Sequence, residues 1–213
     1  MPELDDLANE ERRRKALKAR CSEYRGRLKK RDPQELARLA AMSLQKDERG
    51  NLLLSGNHLQ ETYTISWPDL IVTGEAGKPA RLSKEALWLH YLDRADGHPL
   101  TGRWVNLSEI GGLFYQQAFQ GYSGDKLAKA WGNNLEGLRE KCKQLDGWEI
   151  KGLVDLAFEW RILPRLPLYL CYRVPAGTGP AWATILFDAA ADHYVAADVA
   201  AIAGKELADR IIT

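Results

Sequence analysis

Four short apolar runs fill the last third of the chain, at residues 150–153, 156–163, 168–174 and 182–187. Turn residues separate them: Pro164, Pro167, and a loop at 175–180 made of Pro, Ala, Gly and Thr. Runs of this length bounded by Pro and Gly read as strands. No stretch between them is long enough for a crossover helix, so consecutive strands must return beside one another as an antiparallel sheet rather than as βαβ units. This constrains the rest of the chain, whose helical patterns then have to pack on that sheet. The fold class expected is α+β, with N-terminal helices, a mainly antiparallel sheet and packed helices.

The helical patterns are explicit. Residues 8–30 are rich in Arg, Lys, Glu, Ala and Leu and have no internal Pro, which predicts a helix. Asp32-Pro33-Gln34-Glu35 restarts one, with Asp as cap and Pro in the first turn, and Leu36, Leu39, Ala40 and Leu44 form its apolar stripe. From Asn51 the period changes to short strands, Leu52-Leu53-Leu54 and then Tyr63, Ile65 and Trp67, divided at Ser55-Gly56-Asn57. Pro68 restricts that second run to an edge or a strand end, and Asp69-Leu70-Ile71-Val72 reads as a further strand. Helices follow from Ser83 to Ala95, over Tyr115 to Phe119, and from Asp125 to Leu145, the last with Leu127, Ala130, Trp131, Leu135, Leu138 and Cys142 as its buried stripe. A closing helix from Ala196 carries Val199, Ile202, Leu207 and Ile211.

Charge is unevenly placed. Residues 11–31 hold eleven Lys or Arg and two acids, although the whole chain has 30 basic and 29 acidic residues. The chain therefore reads as a basic helical arm, residues 1–31, on a single α+β domain, residues 32–213. The arm is either a solvated helix face docked on its own acidic body or a contact for an acidic partner, through Arg12, Arg13, Arg14, Lys15 and Lys18. Nucleic acid is disfavoured as that partner, because no nucleic-acid motif follows the arm. No stretch approaches the roughly 18–20 apolar residues of a membrane helix, and the acidic start Met1-Pro2-Glu3-Leu4-Asp5-Asp6 is not a secretory signal. Cys21, Cys142 and Cys171 are far apart and odd in number. That pattern excludes a disulfide framework and a metal knuckle and favours a reducing compartment, the cytoplasm.

The segments Leu89-His90-Tyr91-Leu92, Gly97-His98-Pro99-Leu100-Thr101-Gly102-Arg103-Trp104-Val105, Leu163-Pro164-Arg165-Leu166-Pro167-Leu168 and Ile185-Leu186-Phe187-Asp188-Ala189 occur in order. Together they resemble the family called domain of unknown function 3786, found in bacteria and archaea and frequent in anaerobes, from about residue 30 onward. The resemblance implies a place in anaerobic metabolism and carries no established activity. Some relatives join this domain to an iron–sulfur module like that of corrinoid proteins, which implies a tetrapyrrole or corrinoid connection. Such a cluster needs closely spaced cysteine thiolates, and this chain lacks that spacing. It also departs from the family at 175–180, where an acidic hairpin is expected.

Residues suited to chemistry concentrate in the same segments. His90, Tyr91 and His98, with Arg103, Trp104, Tyr115, Arg165 and Asp188, form the candidate cofactor-binding set. An imidazole can ligate a metal or a tetrapyrrole iron or cobalt, and an arginine beside a tryptophan can clamp an anion on a flat ring. The plainer alternative is a helical histidine held by the backbone, a turn histidine in water, arginines paired with Asp188 or Asp155, and Asp188 capping a turn. The i, i+8 spacing of His90 and His98 is no metal box, and the chain has no GxGxxG, Walker or GxSxG pattern. The expectation is a non-catalytic cofactor- or small-molecule-binding protein with no catalytic residues and no metal site. The alternative is an interaction subunit docking an acidic partner through its basic helix.

Overall fold

The computed structural model describes residues 2–152 and 154–213, with the side chains of residues 2–9 and 76 outside that description. Its helices and two antiparallel sheets form an α+β fold, in two compact units. The first takes residues up to Gly56 with Glu61–Gly97, and the second takes Asn57–Gln60 with His98–Thr213.

In the first unit α1 (Pro2–Leu28) lies along α3 (Leu82–Arg94). Its buried residues Cys21 and Leu28 lie two turns apart on a single face, and α3 buries Trp88, Leu89, Tyr91 and Leu92. Polar ties flank this packing. Arg25 meets Glu85 and donates to the Leu70 carbonyl, Arg27 holds Asp93 through both carboxylate oxygens, and Arg31 donates to the Asp93 carbonyl. The helix α2 (Pro33–Leu39) starts as expected, with Asp32 accepting from the Gln34 N–H. It stops earlier than its apolar stripe suggests, because Ala41 turns the backbone to φ 50° and Leu44 passes into β1 (Ser43–Lys46).

That strand opens a four-stranded sheet, β1 to β4 in order, with β2 (Leu52–His58), β3 (Glu61–Trp67) and β4 (Val72–Thr73). The break expected at Ser55-Gly56-Asn57 lies inside β2, and the hairpin turns at Leu59-Gln60. Gly56 is a packing residue here, since a Cβ on it would stand 2.7 Å from the Trp88 ring. The strand expected at 69–72 is also displaced. Leu70 takes φ 57° and the Ser66 hydroxyl accepts from the Ile71 N–H, closing a turn before β4.

The second unit is a five-stranded antiparallel sheet in the order β5-β9-β8-β7-β6, with β5 (Trp104–Val105), β6 (Trp148–Glu149), β7 (Leu156–Leu163), β8 (Leu166–Arg173) and β9 (Trp182–Asp188). The last expected strand residue of the 150–153 run, Leu153, lies outside the described residues. One sheet face carries Phe158, Ile162, Leu168, Leu170, Tyr172, Ile185 and Phe187, all buried. Against it pack α4 (Gln116–Tyr122), α5 (Gly124–Trp131), α6 (Leu135–Gln144) and α7 (Ala197–Ile212). Phe119 of α4 meets Phe187 at 5.5 Å and leaves room for no Cβ on Gly204 of α7.

The helix expected from Asp125 to Leu145 is two helices. Gly132 at φ 50° ends α5, and Asn134 recaps α6 by accepting from the Gly137 N–H at 3.0 Å. The break turns Ala130 to solvent and leaves Leu127, Leu138 and Cys142 buried. On α7 the buried stripe is Ala200, Ala203, Leu207, Ala208 and Ile211, with Ile202 exposed. His58 of the 57–60 segment is fully buried in this unit, its Nε2 3.2 Å from Glu206, and Gln60 donates to the Gln144 carbonyl. Among the described residues no helix is long and apolar enough to cross a membrane.

Candidate functional site

The densest polar arrangement in the second unit lies where β5 meets β9. Register sets Trp104 opposite Asp188 and Val105 opposite Phe187. Asp188 is 1% exposed. Its carboxylate accepts from the N–H groups of Thr101 (3.0 Å), Gly102 (2.7 Å) and Ala190 (2.9 Å), and from the Thr101 hydroxyl (2.9 Å). Burial works against its ionised form, but the hydrogen bonds from Ala190, Thr101 and Gly102 outweigh it and hold the carboxyl below its ordinary range. A carboxylate offers about four lone-pair sites, and here they are filled by the protein's own donors. Asp188 pins the Thr101-Gly102 turn to the end of β9.

The other expected site residues divide. His90 and Tyr91 belong to the first unit. The Tyr24 hydroxyl is 2.9 Å from His90 Nδ1, and the buried Tyr91 donates to the Ala40 carbonyl at 2.6 Å. The remaining six lie in the second unit. His98 stacks on His193 at 3.9 Å, with its Nδ1 2.9 Å from the Pro99 carbonyl. Arg103 is exposed and meets Glu109 at 3.5 Å, rather than Asp188 or Asp155. Trp104 stacks on Tyr169 of β8 at 4.9 Å. Tyr115 stands half-exposed at the start of α4, and Arg165 occupies the turn between β7 and β8. Asp188, Arg103 and Trp104 thus share one strand junction, while Tyr115 and Arg165 sit on separate elements.

Beside that junction the outer sheet face, opposite the helices, forms a groove of about 580 Å³, lined by Asn106, Cys171, Arg173, Trp182, Thr184 and Leu186 among others. Pairing of β8 with β9 sets Arg173 opposite Trp182 and Cys171 opposite Thr184, so side chains two residues apart on each strand share the face. Trp182 is 48% exposed, and Arg173 is exposed beside it. The Cys171 thiol is half-buried, and burial raises its pKa while Arg173 pulls the other way. A thiol held in its neutral form is a weak nucleophile. These residues form no sequence motif, because each is ordinary alone. The available signal was the alternation Tyr169, Cys171, Arg173 and Trp182, Thr184, Leu186, which becomes a surface only once the two strands are registered across the 174–181 loop.

The groove's lining holds a guanidinium, an indole face, an amide, a neutral thiol and the buried Thr184 hydroxyl, which donates to Gln120 at 3.2 Å. It carries no imidazole or thioether, and the one side chain of a class that ligates a tetrapyrrole iron is Cys171, whose thiolate burial disfavours. Among the described residues no group of three His, Cys, Asp or Glu side chains is placed to hold a metal ion. A protein-family model described as domain of unknown function (DUF3786) matches residues 32–210. No curated protein and no solved structure matches the chain.

Proposed function

Since the chain belongs to the DUF3786 family, whose description assigns no activity, we propose from its own groove that it is a non-catalytic small-molecule-binding protein. The ligand is planar and anionic, and its place is the anaerobic metabolism that the family resemblance implies. The observation that carries this reading is the pairing of Arg173 with Trp182 across β8 and β9 at the groove. Arginine presents a planar fork of donors suited to carboxylate or phosphate, and the exposed indole offers a flat apolar face for stacking. The cavity volume lies within the usual range of small-ligand sites, roughly 300–1,000 Å³. The test is calorimetric titration of the full chain with naphthalene-2-carboxylate and its uncharged amide. The carboxylate should bind more tightly, and Arg173→Ala and Trp182→Ala should each weaken it about tenfold, near 1.4 kcal/mol. Equal binding of acid and amide, or unchanged binding by both variants, refutes the reading.

A second reading rests on a different observation. Arg12, Arg13, Arg14, Lys15 and Lys18 are exposed on α1 and make no ion pair among the described residues, whereas Arg25 and Arg27 of the same helix pair with α3. This half of α1 precedes the family match, which starts at residue 32. An exposed cationic stretch of this kind suits an interaction subunit that docks an acidic protein. Replacing the five basic residues by Gln should abolish capture of that partner in a pull-down from the native host and leave the naphthalene carboxylate titration unchanged. Retained capture sinks this reading.

A further inference from the structure

A second cavity of about 620 Å³ opens at the other edge of the five-stranded sheet, lined by Asn57, Asp146, Trp148, Glu159 and Arg161 with apolar neighbours that include Leu59 and Ile150. All of these residues belong to the second unit. Trp148 is 73% exposed, an unusual position for the largest apolar side chain. It lies on the two-residue edge strand β6, directly opposite Glu159 in register. Glu159 and Arg161, two residues apart on β7, project from the same sheet face, while Trp160 between them turns inward and donates to the Leu145 carbonyl at 3.1 Å. Their backbones pair in the sheet, but among the described residues neither the Glu159 nor the Arg161 side chain makes a hydrogen bond or an ion pair. Asp146 accepts one bond, from Gln60 at 3.1 Å, and so keeps acceptor capacity.

The chemistry of this lining narrows the ligand. An open indole face calls for a flat apolar surface. The rim around it supplies both acceptors (Glu159, Asp146) and a donor (Arg161), so the ligand's edge must present both donors and acceptors. A phosphate or carboxylate would meet two carboxylates, and a simple cation would meet Arg161. A neutral ring with one face of C–H groups and hydroxyls around its edge satisfies every element at once. The geometry points to a binding site for a pyranose sugar, stacked on Trp148, with vicinal hydroxyls donating to Glu159 and Asp146 and accepting from Arg161. The site is independent of the groove at Arg173 and Trp182, so either assignment can fail without the other.

The test is saturation-transfer NMR on the full chain with maltose, cellobiose, lactose and N,N′-diacetylchitobiose, followed by titration of whichever shows transfer. Saturation should reach the C–H protons of one ring face. Trp148→Ala and Glu159→Gln should each raise Kd about tenfold, while Trp182→Ala leaves it unchanged. Arg161→Ala, at an exposed position outside the core, should also raise Kd and gives a third readout. Absence of transfer to all four sugars overturns the assignment, as does binding that Trp148→Ala and Glu159→Gln leave at the wild-type value.

Discussion

Asp188 permits the most exacting test of how the second unit is held together. Replacing it with alanine removes the acceptor for three backbone N–H groups, those of Thr101, Gly102 and Ala190, and for the Thr101 hydroxyl. The hydroxyl can rotate to another partner, but the three amide donors are fixed by the turn. Each orphaned buried donor costs about 1–3 kcal/mol, with water entry at the half-exposed turn pulling toward the lower end. The sum is roughly 3–6 kcal/mol, a large share of the ~5–15 kcal/mol that stabilises a typical domain. Asp188→Asn keeps the shape but loses the charge and turns an NH₂ toward N–H donors, so it should recover only part of the loss. Urea unfolding of the full chain reads this as a lower midpoint at unchanged slope. The pH dependence has a defined sign. The folded carboxyl titrates below its ordinary value, so its contribution is complete above the unfolded pKa of about 3.9 and is lost as pH falls through the lower folded value. Asp188→Asn should lack that acid step. A stability change for Asp188→Ala under about 0.5 kcal/mol, the level of a surface substitution, would refute the argument.

Other substitutions probe packing, capping and thiol chemistry. Gly56→Ala places a methyl 2.7 Å from the buried Trp88 ring, and the overpacking should cost about 1–3 kcal/mol in thermal or urea unfolding. Asn134→Ala removes the cap on the Gly137 N–H and should cost about 1 kcal/mol, with Asn134→Asp retaining most of it. Burial pushes the Cys142 thiol to about 12, so alkylation at pH 8 should leave Cys142 unmodified in the native chain and modify it in urea, as read by peptide mass spectrometry.

The sheet of the second unit was legible because its strands are long, apolar and separated by Pro and Gly; β7, β8 and β9 fall within two residues of their expected positions. Elements that depend on distant partners were not. Ser43-Leu44-Gln45-Lys46 has no β-branched residue and becomes a strand by pairing with Leu52–Ser55, against its helical spacing from Leu36. At Gly132-Asn133-Asn134 the breaker residues were visible, but the apolar spacing on either side continued across them and outweighed them. Asp188 holds the turn after β9 through the Ala190 N–H two residues on, whereas its other backbone donors, Gly102 and Thr101, lie 86 and 87 residues away, beyond any local pattern. The groove depends on the register of β8 with β9, and the Trp148 cavity on the pairing of β6 with β7. Both pairings involve residues that carry no motif.

The second unit's use of Asn57–Gln60 has a genetic consequence. A gene fragment that begins at His98 omits the imidazole buried beside Glu206 and the amide that holds the Gln144 carbonyl. Nor can the other unit be excised as one piece, because those four codons interrupt it. Neither unit is therefore a cassette that recombination can shuffle by a single junction. The family match from residue 32 to residue 210 spans both.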